Sequence, residues 1–251
     1  MVQESEHGET ILHSLYDRQV IRVGAHLVKK SGPNLRSHEA PTLRFIAEKT
    51  TIPVPKVHET HREEADGGRV TAIIMDYMPG QRLDEAWATF DHKQKLSIAR
   101  QLQGYVAQLR QLKGTYIGAV DHGQAFIGLR ATIAGGPFDS EAQFNDFILR
   151  DLVKLPDLLQ HYANHALMDT HEIVFTHGDL APRNILVQGD RVTAILDWED
   201  AGWYPEYWEY VKAMQHLKPM PDWPEYLSVI LPPRYEKEYL GMAFLARLRR
   251  H

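Results

Sequence analysis

The sequence predicts an α+β chain of two lobes, a small β-rich lobe followed by a larger and mainly helical one, and three observations carry that prediction. Between residues 21 and 77 the apolar runs are short, β-like and separated by turn residues, with one helical stretch among them. From Asp91 onward the apolar spacing becomes that of helices. A polar segment, His177-Gly178-Asp179-Leu180-Ala181-Pro182-Arg183-Asn184, then lies among three more short β-like runs. At 251 residues, 43% hydrophobic and 24% charged, the chain is long enough for one large domain or two small lobes with a sizeable core.

Taken in order, Ile21-Arg22-Val23 and Ala25-His26-Leu27-Val28 form a hairpin across Gly24, and Lys29-Lys30 lead into the turn residues Ser31-Gly32-Pro33-Asn34. A helix is expected from Ser37 to Thr50. Ser37 can cap it, Glu39 sits in its first turn, Ala40, Leu43, Phe45, Ile46 and Ala47 give an apolar side, and Pro53 and Pro55 stop it. Val70 to Tyr77 reads as a buried strand ending at the turn Met78-Pro79-Gly80. The expected organisation is therefore an N-terminal lobe over 1–77, a hinge at 78–82 and a C-terminal lobe over 83–251.

Within that second lobe, Ala99, Leu102, Val106 and Leu109 recur at helical spacing between Asp91 and Lys113. A second helical segment runs from Ser140 to about Tyr162 with Phe144, Phe147, Ile148, Leu152 and Leu155 as its core stripe. Ile173-Val174-Phe175, Ile185-Leu186-Val187 and Val192 to Leu196 read as short strands, the last two joined at Gly189-Asp190. The polar residues of interest thus fall at strand ends and in loops.

Composition narrows the function classes. A formal net charge of −5 and a pI near 6.3 leave no basic footprint, so neither nucleic acid nor an anionic membrane is an expected partner. Zero cysteines exclude disulfides and thiol catalysis. No stretch of about 18 apolar residues occurs, and the first 20 residues mix charge with short apolar runs, so a soluble cytoplasmic protein is expected. His58 and His61, three apart near several carboxylates, match no metal-ligand spacing and read as solvated loop.

The chemistry sits at 177–184. The layout H-x-D-L-x-x-x-N, followed one hairpin later by Asp197, is that of a phosphoryl-transfer site. Such transfer depends on positioning and charge neutralisation more than on covalent catalysis, so each polar residue can be given one task. Asp179 would orient an acceptor hydroxyl and take its proton, Asn184 and Asp197 would offer oxygen ligands to Mg²⁺, and His177 would support the loop through hydrogen bonds. Lys30 would reach the phosphates and pair with Glu39. Lys29 competes with it, since strand alternation turns only one of the two toward a cleft, and the place directly before the turn favours Lys30. Met75, Asp76, Tyr77 and Met78 would present backbone groups to a purine edge, and they read equally well as strand core.

Five segments carry a family resemblance. Lys30 with Ser37-His38-Glu39-Ala40, Thr51-Ile52-Pro53-Val54-Pro55-Lys56-Val57, Ile74-Met75-Asp76-Tyr77-Met78-Pro79-Gly80, Phe175 through Asn184, and Ile195-Leu196-Asp197-Trp198-Glu199 together resemble the aminoglycoside phosphotransferase and choline kinase superfamily, in the branch abundant in filamentous fungi. The resemblance implies a bilobal protein-kinase-like fold and Mg²⁺-dependent transfer of the γ-phosphate of ATP or GTP to a small-molecule hydroxyl. Gly178, where protein kinases usually carry Arg, is typical of the small-molecule branch. No A-P-E follows Asp197, and 12 residues separate it from Asn184, which leaves no room for a long activation loop or a protein substrate.

Two departures from the family pattern stand out. The segment before Lys30 contains Gly24 but no G-x-G-x-x-G. Position 181 is Ala where many kinases place a cation, with Arg183 the neighbouring candidate to substitute. These departures keep open a ligand-binding or regulatory relative without turnover, or the same scaffold serving another biosynthetic reaction. Residues 197–210 hold five carboxylates, six Trp or Tyr and no Lys or Arg. That composition suits a surface for an amine-bearing acceptor. It equally suits a lobe packed by Trp203, Tyr207 and Trp208, with Glu206 and Glu209 facing water.

Overall fold

The hairpin read at Gly24 forms the middle of a five-stranded antiparallel sheet in the computed structural model, which describes residues 9–15, 18–63, 69–128, 132–216 and 220–248. Its strands are β1 (Glu9–Leu15), β2 (Arg18–Val23), β3 (Leu27–Ser31), β4 (Val57–Glu63) and β5 (Arg69–Asp76), in the order β1-β2-β3-β5-β4. β2 turns into β3 through Gly24, whose φ of 68° lies in the left-handed region that glycine tolerates. β5 buries Val70, Ala72, Ile73 and Met75, so it reads from sequence as an apolar run. The two edge strands were not expected. β4 pairs only with β5, and its sequence VHETHRE is polar because an edge strand leaves much of its surface in water. His58 and His61 therefore lie on a strand and not in a loop; His58 Nε2 is 2.6 Å from Asp76 Oδ1 and His61 Nε2 is 2.9 Å from Glu59 Oε1.

Helix α1 (Glu39–Lys49) buries Ala40, Leu43 and Ile46. Its N-cap is His38 and not Ser37, and no side chain caps it. The His38 ring is committed elsewhere, its Nε2 lying 2.6 Å from the Glu199 carbonyl oxygen. At the other end Thr50 donates both its amide and its hydroxyl to the Ile46 carbonyl, closing the helix before Pro53.

The chain divides into two compact units, Met1–Ala88 with Pro182–Glu199, and Thr89–Ala181 with Asp200–His251. The segment 78–82, read from sequence as a hinge, lies inside the first unit because its backbone is tied there. Gln81 and Arg82 pair with Val187 and Leu186 of the hairpin Ile185–Gln188 and Arg191–Ile195, and Thr193 Oγ1 donates to the Pro79 carbonyl at 2.8 Å. Gly80 approaches so closely that an added Cβ would lie 2.6 Å from Thr193 Oγ1.

In the second unit, helix His92–Gln111 starts at a capping box between Asp91 and Gln94 and buries Ile98, Ala99, Leu102, Val106 and Leu109. The next expected helix is three pieces: Glu141–Leu149, a 3-10 stretch Arg150–Lys154, and Asp157–Asn164. Pro156 explains the break, since it holds the preceding Leu155 extended at ψ 159°. Ser140 caps the first piece, accepting from the Gln143 amide at 3.3 Å. Trp208 stacks on Tyr204 with ring centroids 5.5 Å apart and meets Phe144 edge-on at 5.2 Å. Strands Ile173–Thr176 and Gly202–Pro205 pair beside them. Among the described residues, no helix is long and apolar enough to cross a membrane.

His171 ties two helices of this unit together. Its Nδ1 lies 2.8 Å from Glu141 Oε1 and its Nε2 3.3 Å from Glu238 Oε1, on helix Glu236–Leu248. The hydrogen bond to Glu141 raises the imidazole pKa, burial opposes it, and the charges of both glutamates reinforce the rise. A raised native pKa contributes stability in full below the ordinary histidine value of about 6.5 and loses it as pH climbs through the native value. The thermal midpoint of the wild type relative to His171→Gln should therefore fall as pH rises above that value, as measured by differential scanning fluorimetry; a parallel pH dependence of the two proteins would show the ion pairs to be energetically silent.

Candidate active site

Of the residues read from sequence, His177 and Asp179 lie in the second unit and the others in the first. In the first unit Lys30 comes from β3, and its side chain is 9% exposed. Its Nζ lies 2.8 Å from both carboxylate oxygens of Glu39, the first residue of α1, and 2.8 Å from Asp197 Oδ1. Alternation along β3 leaves Lys29 less buried and buries Lys30, whose ammonium is the one that meets Glu39 and Asp197. Burial works against the Lys30 ammonium, but Glu39, Asp197 and Glu199 outweigh it and raise its pKa, so it stays charged. Burial pushes the Glu39 carboxyl up while the Lys30 ammonium pulls it down.

Asn184 ends the short 3-10 turn Pro182–Asn184 and is buried. Its carbonyl accepts the Leu196 amide at 2.8 Å, and Ile185 pairs with Ile195, so the hairpin ladder brings the backbone of Asn184 beside the residue preceding Asp197. Asp197 itself has φ 63°, a left-handed conformation that aspartate adopts more readily than most side chains. Arg183, on the same 3-10 turn, is exposed.

Two residues without a sequence-assigned role join this half. Glu199 Oε2 lies 3.8 Å from Lys30 Nζ and pairs with Arg18 Nη1. Carboxylate oxygens of Glu39, Asp197 and Glu199 lie within 4.8 Å of one another, a hard-oxygen donor set of the kind that suits Mg²⁺. The signal for Glu199 was its place two residues after Asp197, inside the D-W-E segment; nothing local marks Arg18.

The strand end Met75–Met78 is only partly available. Met75 is buried, the Asp76 amide donates to the Lys56 carbonyl at 3.0 Å, and the Tyr77 amide donates to the His26 carbonyl at 2.7 Å. The guanidinium of Arg22 covers the Tyr77 ring at 4.0 Å. Two of the backbone donors expected to read a purine are thus already bonded to backbone carbonyls of the same unit.

In the second unit His177 is fully buried and its Nδ1 accepts the Asp179 amide at 3.1 Å. Beneath it lies Glu209, 4% exposed, whose carboxylate accepts the His177 amide at 2.6 Å and the Gly178 amide at 3.3 Å. Burial pushes the Glu209 carboxyl up, and the His177 and Gly178 amides and Arg110 pull it down. Gly178 has φ 80°, and a Cβ there would stand 2.6 Å from the Asp200 carbonyl oxygen, so this backbone path admits only glycine.

Most aromatic rings of the 197–210 segment are core and not surface. Trp198, Tyr204, Tyr207 and Trp208 are each at most 1% exposed, so their ring faces are enclosed in core. Glu209 lies under the 177–179 loop and not in water, and Glu206 accepts from the Tyr235 hydroxyl at 2.6 Å. The sequence reading of Glu209 failed because amphipathic spacing cannot reveal that buried amides require a carboxylate.

The model of the phosphotransferase enzyme family matches residues 28–241. Among curated proteins, none matches the chain in sequence. Among solved structures, the aminoglycoside-3'-phosphotransferase of type VIII is 22% identical with a TM-score of 0.61, the match covering 99% of this chain and 93% of that one. The GDP and kanamycin complex of APH(2")-IIia is 13% identical with a TM-score of 0.62, over 98% of this chain and 85% of that one. The streptomycin-ATP-APH(2")-IIa ternary complex is 14% identical with a TM-score of 0.55, over 98% and 92%. At these identities the structural likeness concerns the fold, α+β and kinase-like.

Glu209→Ala should destabilise the protein by about 3 kcal/mol, because two buried amides lose their acceptor. Glu209→Gln should cost less, since the amide oxygen can still accept one of the two bonds. Urea melts of both variants check the ordering, and Gly178→Ala, measured alongside, should cost about 2 kcal/mol or more through its left-handed backbone and its clash with the Asp200 carbonyl.

Proposed function

The chain belongs to the phosphotransferase enzyme family, and from that premise we propose that Lys30, held by Glu39, binds the phosphates of a nucleoside triphosphate while Asp179 takes the proton of the accepting hydroxyl. The reaction is phosphoryl transfer to a small-molecule hydroxyl. The observation that carries this reading is the buried ammonium of Lys30 held 2.8 Å from Glu39 and Asp197, residues separated from it by 9 and 167 positions. Chemistry that neutralises phosphate charge needs a cation oriented in this way.

Asp197 and Asn184 are proposed as ligands for Mg²⁺, with Glu199 as a further carboxylate in reach of the same cluster. When bound, the ion supplies charge neutralisation at phosphate oxygens. This chain's own groups do the rest. Lys30 offsets charge on the phosphates, Glu39 fixes the direction of its ammonium, and Asp179 orients the hydroxyl and accepts its proton. His177 Nδ1, accepting the Asp179 amide, holds the loop in shape and takes no part in proton transfer. Arg183 is proposed as an exposed cation for the substrate side, and Met78 as the backbone contact for the base.

For the donor, ATP or GTP is proposed, in line with the GDP and ATP complexes of the solved relatives. A hydroxylated small molecule is the proposed acceptor; kanamycin and streptomycin are named for those relatives.

Asp179→Asn should lower kcat by between about 10² and 10⁴, the usual worth of a positioned general base, while nucleotide affinity stays within about twofold of wild type. Lys30→Ala should lose nucleotide affinity instead. Steady-state release of ADP or GDP over a panel of hydroxylated amines and alcohols, with isothermal titration for binding, measures both; full turnover by Asp179→Asn would remove the proposed role.

A further inference from the structure

Strands β1 and β2 are joined by two residues only, since Leu15 pairs with Arg18 and the intervening sequence is Tyr16-Asp17. A glycine-rich cover brings backbone amides up to phosphate oxygens because glycine leaves room for that approach. This connection contains no glycine, and Asp17 adds a negative charge. What the hairpin supplies in place of glycine is a cation, Arg18, the first residue of β2.

The guanidinium of Arg18 pairs with Glu199 Oε2 through Nη1, and the same oxygen lies 3.8 Å from Lys30 Nζ. Two cations therefore converge on one carboxylate oxygen, beside the carboxylate of Asp197. Sharing that oxygen keeps both cations at one cluster, where charge-assisted hydrogen bonds to an incoming oligophosphate are available to them. The Arg18 side chain is 33% exposed while that of Lys30 is 9% exposed, so Arg18 is the one that solvent-borne phosphate can approach. A guanidinium has five donors in a planar fork, so it can keep one edge on Glu199 and present another to phosphate oxygens.

We propose that Arg18 is a second phosphate-binding cation of the nucleotide site, supplied by the β1–β2 hairpin in place of a glycine-rich loop and held ready by Glu199. This rests on the nucleotide-binding reading of the same cluster. Arg18 acts on the β- and γ-phosphates and not on the base, so its contribution depends on phosphate number.

The test is titration of ATP, ADP and AMP, each with Mg²⁺, into wild type, Arg18→Ala and Arg18→Lys. Arg18→Ala should weaken ATP binding about tenfold, a typical worth for a charge-assisted hydrogen bond, and leave AMP binding within about twofold. Arg18→Lys should recover part of the loss, keeping the charge but not the fork. Should Arg18→Ala fail to fold, Arg18→Gln keeps a donor for Glu199 without the charge, and the same contrast between ATP and AMP is expected. Equal weakening of ATP and AMP would make Arg18 a structural strut and overturn the proposal, as would unchanged ATP affinity in a wild type that does bind ATP. A wild type indifferent to all three nucleotides would instead overturn the functional reading on which the proposal rests.

Discussion

A buried ammonium shared between carboxylates is the constraint on which the first unit depends. Lys30 lies on β3, Glu39 opens α1 and Asp197 follows the strand Arg191–Ile195, so three separate stretches of backbone meet at one charge. Removing Glu39 leaves a buried charge poorly compensated, and losses of about 3–5 kcal/mol are usual when one partner of a buried ion pair is deleted. The register of strand against helix against hairpin is thereby coupled to the chemistry. Carboxylate groups of Glu39, Asp197 and Glu199 meet Lys30 and Arg18 in this one cluster, an oxygen-rich setting that suits a divalent cation.

A second constraint is the use of ladders and buried carboxylates, in place of free loops, to position polar groups. Asn184 and Asp197 flank a β-hairpin whose pairing sets their separation, and the Leu196 amide bonded to the Asn184 carbonyl closes the open end. In the second unit Glu209 serves the same purpose for His177 and Gly178, and the His177 ring then holds the Asp179 amide. Such support costs stability, since Glu209 is buried with its carboxyl pushed up, and the amides it binds offset part of that cost. A functional loop carried by a rigid frame is the expected outcome.

Much of the site was legible because its residues are close in the chain or at fixed offsets. His177, Asp179, Asn184 and Asp197 fall within 21 positions, and Lys30 and Glu39 nine apart carry the strand-to-helix step. The central strands and the helix His92–Gln111 were legible too, because burial on one or both faces writes a period into the sequence. Edge strand β4 was missed because its surroundings are water on one side and its residues accordingly polar. The break at Pro156 was underestimated, since the apolar stripe runs on through the 3-10 stretch up to Leu155, directly before it.

By itself the sequence determined the α+β class and the phosphoryl-transfer layout, both of which follow from local spacing. Only the tertiary structure decided that residues 182–199 belong with the first unit, that Gln81 and Arg82 pair as a strand, and that Glu199, Arg18 and Glu209 have polar partners far along the chain. The physical reason is the range of the forces involved. Backbone propensity and apolar periodicity act over a few residues, whereas a buried charge selects its partner by distance in space, from wherever in the chain folding has brought it.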